Sequence, residues 1–306
     1  MNRSRMWLVY LCMSLATDGL ALLAAWAIWH SSGSIPLALL PLLLTLTGRW
    51  LFVRKGFRAA RRLCPPALAT AYPQTRAEQR RTLLREMHAM WHMFGWLMPL
   101  PLRTRQKGRG TPILFIHGFI CNAGVWRPMM RWLARSSGAS MQAISLYPVL
   151  GSIDDYAAQL HLAVTDLCQR SGEDRVMLVG HSMGGLVIRR YLQRYGNGQV
   201  KRAVTLGSPH QGVFVSSKMA RLGRNLGQMK YGSSWLAELN AGESDDKAVP
   251  ILSIWSPHDN VCTPQDTSRL AHPSARELIL PHEGHDTLLF SRPVWDAVLD
   301  EWRATA

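Results

Sequence analysis

A serine stands between two glycines at Gly180-His181-Ser182-Met183-Gly184. An apolar run, Val176-Met177-Leu178-Val179, leads into it, and Leu186-Val187-Ile188-Arg189-Arg190-Tyr191-Leu192 follows at helical spacing. The pattern is strand, sharp turn, helix, with Ser182 at the apex. So tight a turn strains the apex backbone and brings the flanking chain so close that only hydrogen fits at Gly180 and Gly184. The Ser182 hydroxyl is then held above the sheet edge, beside a helix N-terminus whose free N–H groups favour a developing oxyanion. The chemistry this permits is nucleophilic attack on an acyl carbonyl.

Such a serine needs a base, an acid that orients the base, and oxyanion donors. Upstream, Pro112-Ile113-Leu114-Phe115-Ile116 reads as a buried parallel strand running into His117-Gly118-Phe119. The backbone N–H groups of Phe119 and Met183 are the expected oxyanion donors, and His117 is expected to shape its loop. Downstream, the strand Pro250–Trp255 ends in Ser256-Pro257-His258-Asp259, where open α/β sheets place their ligands. Asp259 is the candidate acid. The next strand, Glu277-Leu278-Ile279-Leu280, ends in Pro281-His282-Glu283-Gly284-His285-Asp286. His285 is the candidate base, on the ground that Gly284 permits a sharp turn; His282 is the alternative.

The order Ser182, Asp259, His285 is that of the α/β hydrolases. From about residue 110 onward the chain resembles that superfamily, and within it the bacterial lipase/esterase branch. The resemblance is carried by Phe115-Ile116-His117-Gly118-Phe119, Gly180–Gly185, Thr205-Leu206-Gly207-Ser208-Pro209-His210-Gln211-Gly212, Asp259 with Val261 and Pro264, and Gly284-His285. It implies an α/β-hydrolase fold, a doubly wound and mostly parallel sheet. It also implies an acyl-enzyme mechanism that needs neither metal nor cofactor. The segment Thr205–Gly212 looks like that of lipases acting on lipid esters and is less usual in haloperoxidases. A serine nucleophile argues against epoxide and haloalkane hydrolases, which use aspartate. Neither the disulfide nor the calcium site frequent in secreted lipases finds a match.

The elements that would position these residues follow from periodicity. Helices are expected over Asn122–Arg135, from a capping box at Ser152-Ile153-Asp154-Asp155 to about Arg170, and over Arg292–Arg303. Strands are expected over Met141–Leu146 and Val200–Leu206. The long apolar-dotted segment Val213–Val249 interrupts the alternation. It is expected to be a small helical cap or lid that contacts the acyl chain.

The N-terminal third is of another kind. Residues 6–29 and 35–53 are apolar runs, separated by His30-Ser31-Ser32-Gly33-Ser34, each long enough to span a bilayer core of roughly 30 Å. Residues 1–62 are therefore expected to form a transmembrane hairpin, residues 63–110 a juxtamembrane amphipathic helix and linker, and residues 111–306 the catalytic domain. Of the formal charge of +15, residues 1–110 carry most, with 16 Lys/Arg against 3 Asp/Glu; the remainder has 19 against 17. Arg3, Arg5, Arg49, Arg54, Lys55, Arg58, Arg61 and Arg62 flank the spans, and the loop between them has no Lys or Arg. The positive-inside rule then puts both ends and the hydrolase on the cytoplasmic face of a bacterial-type inner membrane. The basic region suits anionic headgroups. No motif accompanies it that would indicate nucleic acid. Asp18, within the first span, is expected to face the second helix or a partner. Arg76–Met98 reads as a helix with arginines at one end and Met90, Trp91, Phe94 and Trp96 at the other, lying at the membrane interface or on the hydrolase. Five cysteines, Cys12, Cys64, Cys121, Cys168 and Cys262, show no metal-ligand spacing.

The expectation is a membrane-anchored serine hydrolase of carboxylic, lipid-like esters. Transacylation by the same residues and a non-enzymatic scaffold with a relic hydrolase domain are the alternatives. Acyl length, head group and the choice of ester or thioester are not legible, because selectivity lies in pocket shape.

Overall fold

The computed structural model describes residues 12, 15–102, 108–241, 249–272 and 274–305. The start of the first expected span (6–11, 13–14), with Arg3 and Arg5, and the end of the expected cap (242–248) lie outside the described residues.

Six strands, β1 (Ile113–Ile116), β2 (Met141–Ile144), β3 (Val176–His181), β4 (Val200–Leu206), β5 (Ile251–Trp255) and β6 (Ala275–Ile279), form one sheet in the order β2-β1-β3-β4-β5-β6. All five pairings are parallel. The register sets Ile116 beside Gly180, His181 beside Leu206, and Leu206 beside Ile254. The loops after β1, β3, β4 and β5 therefore open along one edge.

Strands β1 and β3 are buried at every position, as expected of parallel strands covered on both faces. Their side chains divide by the period of two. Leu114, Ile116, Val176 and Leu178 pack with Tyr156, Leu160, Val164, Leu186 and Val187 on one face. Ile113, Phe115, Met177 and Val179 pack with Trp126, Met129, Leu133, Val294 and Val298 on the other.

Before the sheet come α1 (Leu20–Ser32), α2 (Ile35–Leu63), α3 (Pro66–Ala71) and α4 (Arg76–His92). The described part of the first run is a π-helical turn, Leu15–Gly19, followed by α1. The break between the helices is shorter than His30–Ser34. Helix α1 runs to Ser32, and Gly33 ends it in the left-handed region at φ 66°. Helix α2 does not stop at residue 53 but continues through the basic run to Leu63. By length and composition it can cross a membrane; α1 as described is shorter. Leu22, Leu23, Trp26, Leu37, Leu40, Leu43, Leu44 and Phe52 are all exposed on this hairpin. Asp18 faces the second helix, with Arg49 Nη2 at 2.5 Å from its Oδ1.

Helix α4 begins with a capping box, Thr75 with Glu78, and ends in a π-helical turn, Met93–Leu97. It packs on the sheet domain and leaves Trp91 and Trp96 exposed. Met93, Leu97 and Met98 join the core against β1. The compact domain thus draws on residues before 111, and the segment is not a free linker. Gly124 shows how closely: a Cβ there would lie 2.2 Å from the Leu97 carbonyl oxygen.

After β1 the helices are α5 (Arg127–Ser136), α6 (Ile153–Ser171), α7 (Met183–Tyr195), three short ones, α8 (Ser217–Ala220), α9 (Arg224–Met229) and α10 (Ser234–Ala241), and finally α11 (Arg292–Arg303). Ser152 caps α6 through the Asp154 N–H, at the second helical position, so the expected box is a simple cap. The Asp154 carboxylate instead accepts from Arg190 Nε at 2.6 Å and Trp235 Nε1 at 3.1 Å, tying α6, α7 and α10 together.

Candidate active site

The turn between β3 and α7 has the strain its glycines foretold. Ser182 sits at φ 54°, ψ −123°, a region L-residues seldom occupy. A Cβ on Gly180 would come within 2.7 Å of the Gly184 carbonyl carbon, and one on Gly184 within 2.3 Å of the Ile116 carbonyl oxygen. Neither contact is survivable, so any side chain at these two positions opens the turn. The Ser182 N–H donates to the Leu206 carbonyl at 2.8 Å, which fixes the apex over β4.

Asp259 and His285 meet beneath the same edge. His285 Nδ1–H donates to Asp259 Oδ2 at 2.7 Å, and both residues are buried. The other carboxylate oxygen accepts the N–H groups of Val261 and Cys262 at 2.7 and 2.8 Å. Burial alone pushes the His285 imidazole down, but the adjacent Asp259 carboxylate prevails and raises it well above the usual histidine value. Gly207 makes room for the pair: a Cβ would lie 3.2 Å from Asp259 Oδ2 and 3.3 Å from His285 Nδ1. Among the described residues no hydrogen bond joins the Ser182 hydroxyl to His285. Contacts of this kind commonly tighten only when substrate is present. His282 is elsewhere, stacked on His258 with ring centroids 5.3 Å apart and its Nδ1 3.2 Å from Gln74 Nε2.

The loop after β1 lies against the serine. A Cβ on Gly118 would approach Ser182 Cβ to 2.9 Å, so the chain at Phe119 passes directly beside Ser182. The Met183 N–H opens α7 and has no intrahelical acceptor. His117 is a scaffold. Its Nδ1–H donates to the Gly118 carbonyl at 2.7 Å, and its Nε2 accepts the Leu146 N–H at 2.9 Å. Burial lowers it to about 4, so it stays neutral.

Two contributors escape sequence reasoning. His181 donates from Nε2 to the His285 carbonyl at 3.1 Å, binding the turn to the histidine loop; burial, with His285 nearby, keeps it neutral. Its position next to the serine carries no signal for this role. The second is Glu86 of α4, whose carboxyl reaches the backbone of Asp286 and Thr287. Glu86 also gives the reason for Gly284. This glycine is not in the left-handed region; a Cβ there would lie 2.4 Å from Glu86 Oε2. Close approach, not a sharp turn, requires it.

All five cysteines are free thiols. Burial raises Cys262 and Cys121, and the Cys262 thiol donates to the Gly207 carbonyl at 3.1 Å. Asp259, Cys262 and His285 have metal-ligand spacing, as do His181, His285 and Asp286. Both sets need His285, whose Nδ1 is already committed to Asp259, and the first needs a thiolate where burial favours the thiol. The donors suit a hydrogen-bonded acid–base pair better than a cation.

The expected cap is stitched down over much of its length. Leu226, Met229, Leu236 and Leu239 are buried, and Asn225 donates to the Tyr156 hydroxyl at 3.2 Å and the Val149 carbonyl at 2.9 Å. Phe214, Met219, Leu222 and Tyr231 stand exposed on its outer part.

A model of the palmitoyl protein thioesterase family matches residues 112–245. Among curated proteins, a non-heme chloroperoxidase of Kitasatospora aureofaciens is 32% identical over 122 residues, 36% of this chain and 42% of that protein. Among solved structures, lipase B of Aspergillus fumigatus superposes with a TM-score of 0.59 at 16% identity, covering 66% of this chain and 55% of the lipase. A mature lipase of Bacillus licheniformis gives 0.52 at 19% identity, covering 65% and 96%. The chain is a member of the α/β-hydrolase superfamily. It spans about two fifths of the length of the chloroperoxidase and about half that of the fungal lipase. Within the superfamily the curated resemblance extends to haloperoxidases, which Thr205–Gly212 had not led us to expect.

Proposed function

We propose that this protein is a membrane-anchored serine hydrolase of acyl esters, with Ser182 as nucleophile, His285 as base and Asp259 as the orienting acid. The observation that carries the reading is the buried 2.7 Å hydrogen bond from His285 to Asp259, on the sheet edge that bears the strained Ser182 turn. In this mechanism Ser182 Oγ attacks the acyl carbonyl while His285 Nε2 takes its proton. The amides of Phe119 and Met183 hold the oxyanion. His285 returns the proton to the leaving alkoxide, leaving an acyl-serine. Water then attacks the acyl-serine by the same steps in reverse, releasing the acid and freeing Ser182.

The substrate we favour is lipid-like. Its support is the exposed apolar set Ile120, Phe214, Met219, Leu222 and Val261, drawn from the oxyanion loop, the cap and the acid loop. Support for a membrane comes from the leucine-faced hairpin α1–α2 and the basic residues that follow it. The charge distribution favours a catalytic domain on the cytoplasmic side. A second reading, cleavage of acyl thioesters, draws on the thioesterase family match over residues 112–245. The same attack serves both, because the leaving group differs only in its heteroatom.

The test is a matched series of p-nitrophenyl esters and acyl thioesters of rising chain length, assayed in the membrane fraction beside Ser182→Ala. Serine-dependent turnover rising with chain length supports the lipid reading, and a preference for thioesters selects the second. Turnover that survives in Ser182→Ala contradicts both.

A further inference from the structure

Helix α4 precedes the region that the thioesterase family model matches, yet it grips the histidine loop with consecutive turns. The Thr82 hydroxyl donates to the His282 carbonyl at 3.3 Å. Arg85 Nη2 donates to both oxygens of Glu283, at 2.9 and 2.8 Å. Glu86 goes deepest and is only 1% exposed. Its carboxyl accepts the Asp286 N–H at 3.0 and 3.1 Å and the Thr287 N–H at 3.0 Å. These amides begin the single helical turn Thr287–Phe290, whose own N-cap residue makes no side-chain cap. Their acceptor thus arrives from 200 residues away in the chain.

We propose that Glu86 is a positioning residue for His285, fixing the backbone immediately after the base, and that the N-terminal region is therefore a working part of the active site. The inference rests on the reading of His285 as that base. The path continues toward the membrane. The His285 N–H donates to Asn260 Oδ1 at 3.0 Å, and Gly56 of α2 packs against the Asn260 backbone. Gln265, also on the acid loop, donates to the Ala60 carbonyl at 3.2 Å. Helix α2 thus bears on the acid loop while α4 bears on the histidine loop.

A carboxyl is an unfavourable choice for a purely structural cap at this depth. Burial raises Glu86 to about 8, with the Asp286 carboxylate adding to the rise and His285 opposing it. The Arg85–Glu283 pair at the edge is self-neutralising. Glutamine keeps the essential geometry, because one oxygen at the Oε2 position already accepts both amides.

The experiment uses the full-length protein in detergent or vesicles and compares wild type with Glu86→Ala, Glu86→Gln and Glu78→Ala. Glu78 belongs to the capping box of the same helix and, among the described residues, hydrogen-bonds only within it, reaching the histidine loop through its charge on His282 and not through a contact with the backbone after His285, so its loss loosens α4 without removing the Glu86 contacts. Each variant is assayed for kcat and KM on a p-nitrophenyl ester across pH, with melting temperature measured alongside. Glu86→Ala should lose roughly 10- to 100-fold in kcat with KM little changed, by analogy with the loss seen when residues that orient metal-bound histidines are removed. Glu86→Gln should restore most of kcat at neutral pH. The wild type should change in rate as Glu86 ionises near pH 8, and Glu86→Gln should lack that change. Glu78→Ala should melt earlier and keep its kcat. A folded Glu86→Ala with wild-type kcat and pH profile overturns the proposal, as does a loss of kcat that merely follows melting temperature across all three variants. If the wild type shows no Ser182-dependent turnover, the hydrolase reading fails and the proposal with it.

Discussion

Replacing Asp259 by asparagine probes the acid–base pair with almost no change of shape. In the wild type Asp259 Oδ1 accepts two amides, from Val261 and Cys262, while Oδ2 faces His285 Nδ1. Those two amides demand an acceptor, so the asparagine oxygen must stay on their side and its NH2 must face the imidazole. Two N–H donors cannot pair. The ring therefore adopts the tautomer with its proton on Nε2, where it can no longer take one from Ser182. Loss of the correct tautomer in a Ser-His-Asp site costs about 10⁴ in kcat. At about 1.36 kcal/mol per decade that is roughly 5.5 kcal/mol of transition-state stabilisation. KM should hold, because no substrate contact changes. Steady-state kinetics on a p-nitrophenyl ester read both constants, and circular dichroism checks folding. A folded Asp259→Asn enzyme that retains more than about a tenth of its kcat would refute the reasoning. A second signature lies in stability. His285 binds its proton more tightly folded than unfolded, so its contribution is fully present below about pH 6.5 and fades as pH rises through the raised folded value. The stability gap between wild type and Asp259→Asn should narrow as pH increases.

Gly184→Ala should destabilise the fold by about 1–3 kcal/mol and abolish serine labelling, since its Cβ would meet the backbone oxygen of Ile116 at 2.3 Å. A stable, labelled variant in thermal melts and probe assays would contradict the close approach. Leu222→Ser combined with Phe214→Ser should lower turnover of vesicle-borne long-chain esters and spare p-nitrophenyl acetate, because both side chains are exposed on the outer part of the cap. Equal effects on the two substrates would show that this surface does not meet lipid.

What could be read in advance follows from what each feature demands of the residue types. The parallel sheet was legible because β1 and β3 must be apolar on both faces. The Ser182 turn was legible because its strain admits only glycine at Gly180 and Gly184. The position of α4 was not. Its inward stripe runs Thr82, Glu86, Ala89, Met93, Leu97, at helical spacing, but its first two members are polar. An apolar-stripe reading therefore finds Met90, Trp91, Phe94 and Trp96 and leaves the helix either at the membrane interface or on the hydrolase. Gly284 was singled out, but for a turn, because nothing local announces a carboxyl arriving from residue 86. The sequence bounded the apolar span at residue 53 but not the helix, which runs on to Leu63. Arginines on a helix end the apolar run without ending the helix, since their stems tolerate helical geometry and their charges reach solvent.

The central claim is that Ser182 becomes acylated. The direct measurement is mass spectrometry of the full-length protein after reaction with a fluorophosphonate, wild type beside Ser182→Ala, with the adduct mapped by proteolysis. The account predicts one adduct on the peptide that contains Ser182, formed more slowly while a long-chain ester is present in excess and absent from the alanine variant. An adduct at another residue, or no adduct on folded wild-type protein, would contradict it.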